Sequence, residues 1–212
     1  AEMIFNQVDS SLKVTQKLND GDKVGFGDVP FIVEGNSISI LTAERLVLNC
    51  MQHMSAIATK TSYLNSLITD TKCKLLDTRK TTPLNRTIEK WAVKIGGGVN
   101  HRFGLYDMIM IKDNHIKSAG SISRAVEKVR DGLGPQTKIE VETQNLDEVQ
   151  EALKKDVDVI MLDNMSIDMI RESVKLIDGR AKVEISGCVT LERLDEISRT
   201  GADFVSVGAL TH

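Results

Sequence analysis

The chain has 212 residues, of which 41% are hydrophobic and 27% charged, and its formal net charge is −3. These values are typical of a globular protein with one large domain, or one domain and a fragment. The weak negative charge gives no general positive field for nucleic acid or an anionic membrane surface, so neither is a predicted partner. No apolar run approaches the roughly 20 residues that cross a bilayer.

The start of the chain and its cysteines bear on processing and compartment. No signal-peptide pattern is present, and the chain opens with Ala-Glu instead of Met, so we expect an N-terminal piece to be missing. Cys50, Cys73 and Cys188 are far apart and lack metal-ligand spacing. We therefore expect reduced, buried thiols in a cytoplasmic protein.

The first forty residues differ from the rest of the chain. Short β-prone runs, separated by turn signals rich in Gly, Asn and Asp, predict strands at residues 12–16, 23–24, 31–33 and 37–41. Such a unit is too short to bury a good core alone. We expect it to pack on another part of the full protein.

A long helical pattern follows this β-rich unit. Apolar residues recur at helical spacing from Leu46 to Ile68, with Thr42 as the expected N-cap and Glu44 in the first turn. Arg45 would then lie near the positive end of the helix dipole, where a cation is disfavoured. That position argues against a purely structural role for Arg45.

From Lys72 onward the chain alternates strands and helices. Near-continuous apolar runs predict strands at residues 73–76, 108–111, 137–141, 157–162, 181–185 and 203–207. Helical patterns lie between them, at residues 86–95, 121–130, 146–153, 167–176 and 191–200. Six closely spaced βαβ units favour an α/β barrel over a doubly wound sheet. The absence of G-x-G-x-x-G after the first of these strands also disfavours a Rossmann fold.

Cations gather at the ends of the first two barrel strands and in the glycine-rich segment between them. In a barrel these positions meet at the mouth formed by the carboxyl ends of the strands. The residues are Arg79, Lys80, His101, Arg102 and Lys112. Each alone could be a surface or ion-pair residue, but together they repel one another unless an anion lies among them. The cluster therefore predicts a small substrate with carboxylates, phosphates or both.

Carboxylates and glycines follow the later strands. Glu142 and Asp163 end two neighbouring strands and would suit Mg²⁺ if a pyrophosphate must be neutralised. The alternative is that each orients a nearby cation. Ser186, Gly187 and Gly208 follow the last two strands, where α/β barrels often bind phosphate through backbone N–H groups.

The motifs resemble those of one enzyme family along nearly the whole chain. The segments DTRKTTP, GGGVNHR, IKDNHI, EVET with LDN further on, and SVGALTH resemble quinolinate phosphoribosyltransferase, the carboxylating nicotinate-nucleotide pyrophosphorylase. The resemblance implies an open, seven-strand-type α/β barrel, residues 48–212, beside part of an N-terminal α/β sandwich domain, residues 1–47. It also implies transfer of phosphoribosyl from phosphoribosyl pyrophosphate to quinolinate with Mg²⁺. The products would be nicotinate mononucleotide, pyrophosphate and CO₂, in NAD biosynthesis.

The resemblance also implies residue roles. The quinolinate-binding residues would be Arg79, Lys80, His101, Arg102 and Lys112. Arg45 would reach the partner's site in a homodimer, with further assembly into a hexamer left open. Glu142 and Asp163 would face the ribose and the metal ion, and the phosphate-binding residues would be Ser186, Gly187 and Gly208. The expected catalytic residues are Lys80, Lys112, Glu142 and Asp163, and either lysine could assist decarboxylation.

The chain departs from the family pattern at two positions, and other functions are to be weighed against the one that the resemblance implies. Cys188 replaces a usual glycine in the phosphate loop, and Leu84 replaces the glycine after Pro83. A relative acting on nicotinate without decarboxylation would need fewer cations, and a molybdenum-associated paralogue shares the fold. A biotinyl or lipoyl carrier module is suggested by the turn at residues 20–24, but the Met-Lys hairpin that would carry the modification is missing.

Overall fold

The computed structural model describes residues 1–187 and 189–211, and its N-terminal unit combines one helix with a hairpin-like strand pair. Helix α1 spans Glu2–Val8, and strands β1 (Lys13–Gln16) and β2 (Phe31–Glu34) pair antiparallel. Their small core includes Phe5, whose ring meets that of Phe31 edge-on at 6.0 Å between centroids. The sequence predicted β1 and β2, missed α1, and was wrong about a strand at residues 23–24.

Helix α2 spans Ser37–Ser66 and begins earlier than the apolar pattern indicated. The side chain of Asn36 accepts the N–H groups of Ile38, at 2.8 Å, and Ser39, at 3.3 Å, and so caps the helix. The predicted strand at residues 37–41 and the predicted N-cap at Thr42 are therefore wrong. Arg45 lies well inside the helix, so the argument from the helix dipole no longer applies to it.

Six parallel strands form the sheet of an open barrel. They are β3 (Lys74–Leu76), β4 (Ile109–Ile111), β5 (Ile139–Thr143), β6 (Val159–Asp163), β7 (Lys182–Ser186) and β8 (Phe204–Ser206). Their order is β3-β8-β7-β6-β5-β4, so the first strand pairs with the last. The barrel is open between β3 and β4, where Val99 forms only an isolated bridge with Leu76. The predicted open α/β barrel is confirmed.

Helices follow the strands as right-handed βαβ connections require. They are α3 (Arg86–Ile95), α4 (Asp113–Ala119), α5 (Ile122–Leu133), α6 (Leu146–Leu153), α7 (Ile167–Ile177) and α8 (Leu191–Ser198). A 3₁₀ turn at Gly208–Leu210 ends the described chain. The sequence predicted all of these helices except α4, which is short and has no fully buried residue to mark one face.

The barrel core lies between the sheet and the surrounding helices. Strand residues such as Ile139, Val141 and Ile160 are fully buried, as expected for parallel strands covered on both faces. Cys73 is also buried, and burial raises the pKa of its thiol to about 12. In residues 1–187 and 189–211, no helix has both the length and the apolar character needed to cross a membrane.

We expect Asn36→Ala to lower the free energy of unfolding by about 1 kcal/mol, because two N–H groups of α2 would lose their cap. Thr42→Ala is the matched control, since the Thr42 hydroxyl only donates to the Ile38 carbonyl inside the helix. We expect a change within about 0.5 kcal/mol for the control. Denaturant unfolding of both variants is the measurement, and a larger loss for Thr42→Ala would contradict the helix start.

Candidate active site

A buried carboxylate joins two of the cation segments. Asp77 follows β3 and is fully buried, and it accepts from the Lys90 ammonium at 2.5 Å and from the Asn100 side-chain amide at 2.6 Å. It also accepts the backbone N–H of His101 at 2.8 Å. Lys90 in turn donates to the His101 carbonyl at 3.0 Å. This network holds the segment before Arg102 against the end of β3.

Glycines bring that segment across helix α2. A Cβ atom at Gly96 would lie 2.4 Å from the carbonyl oxygen of Ala58, and one at Gly98 would lie 2.9 Å from the Thr61 side chain. Both glycines therefore allow a backbone approach that any larger residue would prevent. The loop then enters the gap between β3 and β4 and places its cations at the barrel mouth.

Two guanidinium groups lie near enough at this mouth for the charge of one to affect the other. Arg102 donates to the Met108 carbonyl at 3.0 Å, and its pKa is lowered by burial and by the nearby positive charge of Arg79. Arg79 buries its Nε atom, which has no hydrogen-bond partner among the described residues. Within residues 1–187 and 189–211, neither arginine has a carboxylate at ion-pair distance. Such an arrangement favours binding of an anion between them.

Arg86 connects the loop after β3 with the loop that follows Arg102, and the sequence analysis missed this role. Its guanidinium donates to the Phe103 carbonyl at 3.2 Å, to the Arg79 carbonyl at 3.4 Å and to the Thr81 hydroxyl at 3.3 Å. Helix α3, which carries both Arg86 and Lys90, therefore fixes the loops on either side of the gap. Its amphipathic pattern predicted the helix but gave no sign of these contacts.

His101 lies inside the barrel between two glutamates. Its Nε2 atom is 3.0 Å from Glu140 and 3.3 Å from Glu184, and its side chain is 7% exposed. Burial lowers the pKa of His101, but contacts with both carboxylates outweigh it and raise the pKa to about 9. Burial also raises the pKa of Glu140 to about 7, and the His101 ring, 3.0 Å away, opposes this shift.

Glu140 and Glu184 were not among the predicted site residues. Each is a carboxylate flanked on both sides by buried apolar residues, within Ile139–Thr143 and Lys182–Ser186, and this pattern was the available signal. Alternate strands of a barrel contribute to the same interior layer, so β5 and β7 can bring the two carboxylates together. Among the described residues, one group of side chains is close enough together to hold a metal ion: His101, Glu140 and Glu184.

The hydrogen bond at the other ring nitrogen argues against a metal ion at that group. The N–H of Arg102 donates to Nδ1 of His101 at 2.7 Å, so Nδ1 carries a lone pair and the ring proton is on Nε2. Nε2 faces the glutamates and cannot also be a ligand. The carboxylates of Glu140 and Glu184 favour a second ring proton, on Nδ1, whereas the hydrogen bond from the Arg102 N–H opposes it. Both protonation states keep a proton on Nε2, so neither leaves a lone pair there for a metal ion.

The structure pairs two of the predicted functional residues with each other. The Lys112 ammonium donates to the Glu142 carboxylate at 2.9 Å, and the backbone N–H of Lys112 donates to Nδ1 of His115. Asp163 is partly buried and accepts from the Asn164 amide at 2.7 Å. Glu142 and Asp163 are oxygen donors at the ends of adjacent strands. This donor set fits Mg²⁺, which usually takes one or two carboxylates and completes its coordination with water and phosphate.

The expected phosphate loops lie next to Asp163. The Asn164 N–H donates to the Ser186 carbonyl at 3.0 Å, and a Cβ atom at Gly187 would lie 2.1 Å from the Asn164 side chain. Gly187 also has a φ of +83°, so glycine is required there on two grounds. Gly208 begins the terminal 3₁₀ turn. Cys188, the predicted departure in this loop, lies outside the described residues.

Lys80 and Arg45 complete the predicted set. Lys80 is exposed, and its carbonyl accepts the Thr211 hydroxyl at 3.0 Å, which ties this loop to the end of the barrel. No ion-pair partner of the Lys80 ammonium is found in the described part of the chain. Arg45 is exposed on α2, and no hydrogen bond or ion pair among the described residues joins it to the barrel mouth.

Comparison with known proteins identifies the family. The C-terminal domain model of quinolinate phosphoribosyl transferase matches residues 57–212, and the N-terminal domain model matches residues 1–55. The chain belongs to the quinolinate phosphoribosyl transferase family. Its two matched parts meet within α2, which runs from Ser37 to Ser66 without interruption. The resemblance seen in the motifs is confirmed.

Relatives in this family cover plants and bacteria. Quinolinate phosphoribosyltransferase [decarboxylating] 2b, mitochondrial, of Nicotiana tabacum is 47% identical over 230 positions, covering all of this chain and 65% of the relative. The chain thus spans slightly less than two thirds of that protein's length. A probable nicotinate-nucleotide pyrophosphorylase [carboxylating] of Bacillus subtilis is 44% identical over 208 residues, covering 98% of this chain and 72% of the relative. Since the tobacco protein is named as mitochondrial, family membership alone does not define a compartment.

A solved structure shares the fold. The nicotinate-nucleotide pyrophosphorylase of Francisella tularensis superposes with a TM-score of 0.94 at 44% identity, covering 99% of this chain and 75% of that chain. The antiparallel N-terminal pair and the open parallel barrel therefore belong to a fold that this chain shares with that protein.

We expect Lys90→Met to lower the free energy of unfolding by about 3–5 kcal/mol, because it leaves the buried Asp77 carboxylate without its counter-charge. Lys94→Met is the matched control on the same helix, since Lys94 is exposed. Its expected change is within about 0.5 kcal/mol. Urea unfolding measures both, and similar small losses would show that the buried pair has no such role.

Proposed function

We propose that this chain forms the catalytic part of a decarboxylating quinolinate phosphoribosyltransferase of NAD biosynthesis. It would convert quinolinate and phosphoribosyl pyrophosphate into nicotinate mononucleotide, pyrophosphate and CO₂. The observation that carries this proposal is that Arg79 and Arg102 lie near enough to repel each other, without a carboxylate at ion-pair distance among the described residues. A pyridine dicarboxylate supplies two negative charges in one plane, which suits two planar guanidinium groups.

The cations would hold the two carboxylates of quinolinate. Arg79 and Arg102 have the fork geometry for bidentate contacts, and Lys80 and Lys112 add point charges at the same mouth. Each charge-assisted hydrogen bond contributes about 1.5–3 kcal/mol. The hydrogen bonds of Asp77 keep the loops in place before substrate binds. Binding therefore costs little conformational entropy for ordering these loops.

The proposed reaction uses the positive charge of the residues at the barrel mouth. The pyridine nitrogen attacks the anomeric carbon of the ribose as pyrophosphate leaves with oxocarbenium character. The ring nitrogen becomes positive, and this charge stabilises the electron pair left on the neighbouring carbon when CO₂ departs. That carbon then takes a proton. Lys80 is the better-placed donor, because Lys112 is already bound by Glu142, whereas Lys80 has no such partner among the described residues.

Glu142 and Asp163 would hold Mg²⁺, which when bound neutralises charge on the pyrophosphate. Glu142 would then be shared between the metal ion and Lys112, which keeps this carboxylate oriented in advance. The backbone around Ser186, Gly187 and Gly208 would bind phosphate through N–H groups. We also propose a cytoplasmic homodimer, in which Arg45 reaches the barrel mouth of the partner, with hexamers as a further level of assembly.

The first experiment is an assay of the chain with quinolinate, phosphoribosyl pyrophosphate and Mg²⁺, following nicotinate mononucleotide and CO₂. We expect product only when all three are present. Turnover with nicotinate but not quinolinate would assign the chain to the non-decarboxylating alternative. If a verified dimer turned over neither quinolinate nor nicotinate, the proposal would be contradicted.

We expect Arg102→Ala to raise the quinolinate KM roughly ten- to 100-fold, because at least one charge-assisted contact is lost. The KM for phosphoribosyl pyrophosphate should stay nearly unchanged. Arg180→Ala is the control, since the guanidinium contacts of Arg180 among the described residues are to carbonyls at the end of α7. Steady-state kinetics measures both constants, and equal loss of affinity for the two substrates would reject this division of roles.

We expect Arg45→Ala and Arg102→Ala to be nearly inactive at low quinolinate and to complement each other when mixed. In a mixed dimer, one site would have an intact barrel and an intact partner arginine, so activity should recover to about a quarter of wild type. Subunit exchange followed by the assay is the measurement. No recovery in confirmed mixed dimers would argue against a shared site.

A further inference from the structure

Glu89 is a buried carboxylate for which the proposed reaction has no use. It lies on α3, one residue before Lys90, and its side chain is 0% exposed. One carboxylate oxygen lies 2.8 Å from Nε2 of His53 on α2, and the other accepts the backbone N–H of Thr82 at 3.1 Å. Burying a carboxylate is costly unless it is paired and hydrogen-bonded, so these two contacts stabilise Glu89 in its place.

We propose that Glu89 is a positioning residue for the loop that carries Arg79 and Lys80, and that His53 keeps the carboxylate of Glu89 in place. Because Glu89 has no exposed surface, it acts through the backbone of this loop and not by contact with a substrate. The proposal rests on the proposed function only for the identity of the substrate that the two cations would bind.

The contacts of Thr82 fix one end of this loop. The Thr82 N–H donates to Glu89, and the Thr82 carbonyl accepts the Asn85 N–H at 3.0 Å. The Lys80 carbonyl accepts the Thr211 hydroxyl at 3.0 Å, which ties the middle of the loop to the end of the barrel. The two cations therefore lie on a short segment whose position depends on a few hydrogen bonds, one of them to Glu89.

A strained residue follows directly after Thr82 and Pro83. Leu84 has a φ of +68°, and its side chain is fully exposed. A residue other than glycine is disfavoured in this left-handed region, so the turn by itself does little to fix the loop. Without Glu89, the backbone of this turn would be free to relax toward a more extended form and to move the two cations before it.

The first test compares Glu89→Met with Glu89→Gln in the full chain. Met has a similar length but removes the carboxylate, whereas the carbonyl oxygen of Gln can still accept the Thr82 N–H. We expect Glu89→Met to raise the quinolinate KM roughly three- to tenfold, because one hydrogen bond is lost and binding must then order the loop. Glu89→Gln should keep this KM within about twofold of wild type. A KM for Glu89→Gln as high as that for Glu89→Met would contradict the role of the Thr82 contact.

Asp203→Leu is the matched control at the opposite end of the barrel. Asp203 lies just before β8, and its carboxylate also joins a backbone N–H, that of Val183 at 3.0 Å, to a basic side chain, that of Lys182 at 3.0 Å. This variant should melt at a lower temperature and keep the quinolinate KM within about twofold of wild type. A quinolinate KM that rises equally in Asp203→Leu and Glu89→Met would reduce Glu89 to a structural residue and overturn the proposal.

The kinetic constants of Glu89→Met separate positioning from stability. The KM for phosphoribosyl pyrophosphate should change less than about twofold, because its proposed contacts come from other strands. The kcat per folded enzyme should fall less than the quinolinate KM rises, because saturating quinolinate orders the loop again. A lower kcat with both KM values unchanged would indicate only a loss of folded enzyme and would contradict a positioning role.

His53→Leu tests the second contact of Glu89. The variant removes the side chain next to one carboxylate oxygen but leaves the Thr82 N–H with its acceptor. We therefore expect a rise in the quinolinate KM that is smaller than the rise in Glu89→Met, and His53→Gln, whose amide can still donate, should reverse it. An unchanged KM in His53→Leu would remove His53 from the proposal.

Hydrogen exchange tests the loop contact without any substrate. The Thr82 residue is exposed, yet its N–H donates to a buried carboxylate, so this amide should be protected from exchange in the wild-type chain. In Glu89→Met the protection should fall roughly tenfold, while the amides of β5 keep theirs. Unprotected exchange at Thr82 in the wild-type chain would overturn the proposal, whatever the enzyme turns over. The expected exchange in a chain without activity on quinolinate would instead reject the proposed function and leave the loop contact standing.

Discussion

The buried ion pair between Asp77 and Lys90 is the constraint on which the site depends. Asp77 ends the first barrel strand, Lys90 lies on helix α3, and both contact the backbone at His101. A buried carboxylate is stable only with a counter-charge and further donors. Here Lys90 of α3 supplies the charge, and the Asn100 amide and the His101 N–H, from the loop that carries Arg102, supply the donors. The same atoms therefore stabilise the fold and set the position of Arg102.

The open seam of the barrel explains how that loop reaches the mouth. Strands β3 and β4 do not pair, and the glycine segment before Asn100 passes between them after crossing α2. A closed barrel would fill this gap with a strand ladder and leave no entry for a loop at interior depth. The arginines can then lie partly inside the barrel, where reduced contact with water strengthens their attraction for an anion.

Charged groups occupy three parts of the site. His101 lies with Glu140 and Glu184, Arg79 lies near Arg102, and Lys112 pairs with Glu142. The charge of Arg79 lowers the pKa of Arg102, while Glu140 and Asp107 act in the opposite direction without cancelling the shift. An anion between the two arginines would relieve their mutual repulsion.

The sequence by itself determined the barrel, because buried parallel strands read as apolar runs, and it located most site residues, because they follow strand ends in recognisable motifs. Only the tertiary structure decided which of those residues meet. The pairing of Lys112 with Glu142 and the interior positions of Glu140 and Glu184 depend on contacts between segments far apart in the chain. Local sequence does not predict such contacts, because they become favourable only when groups far apart in the chain are buried together.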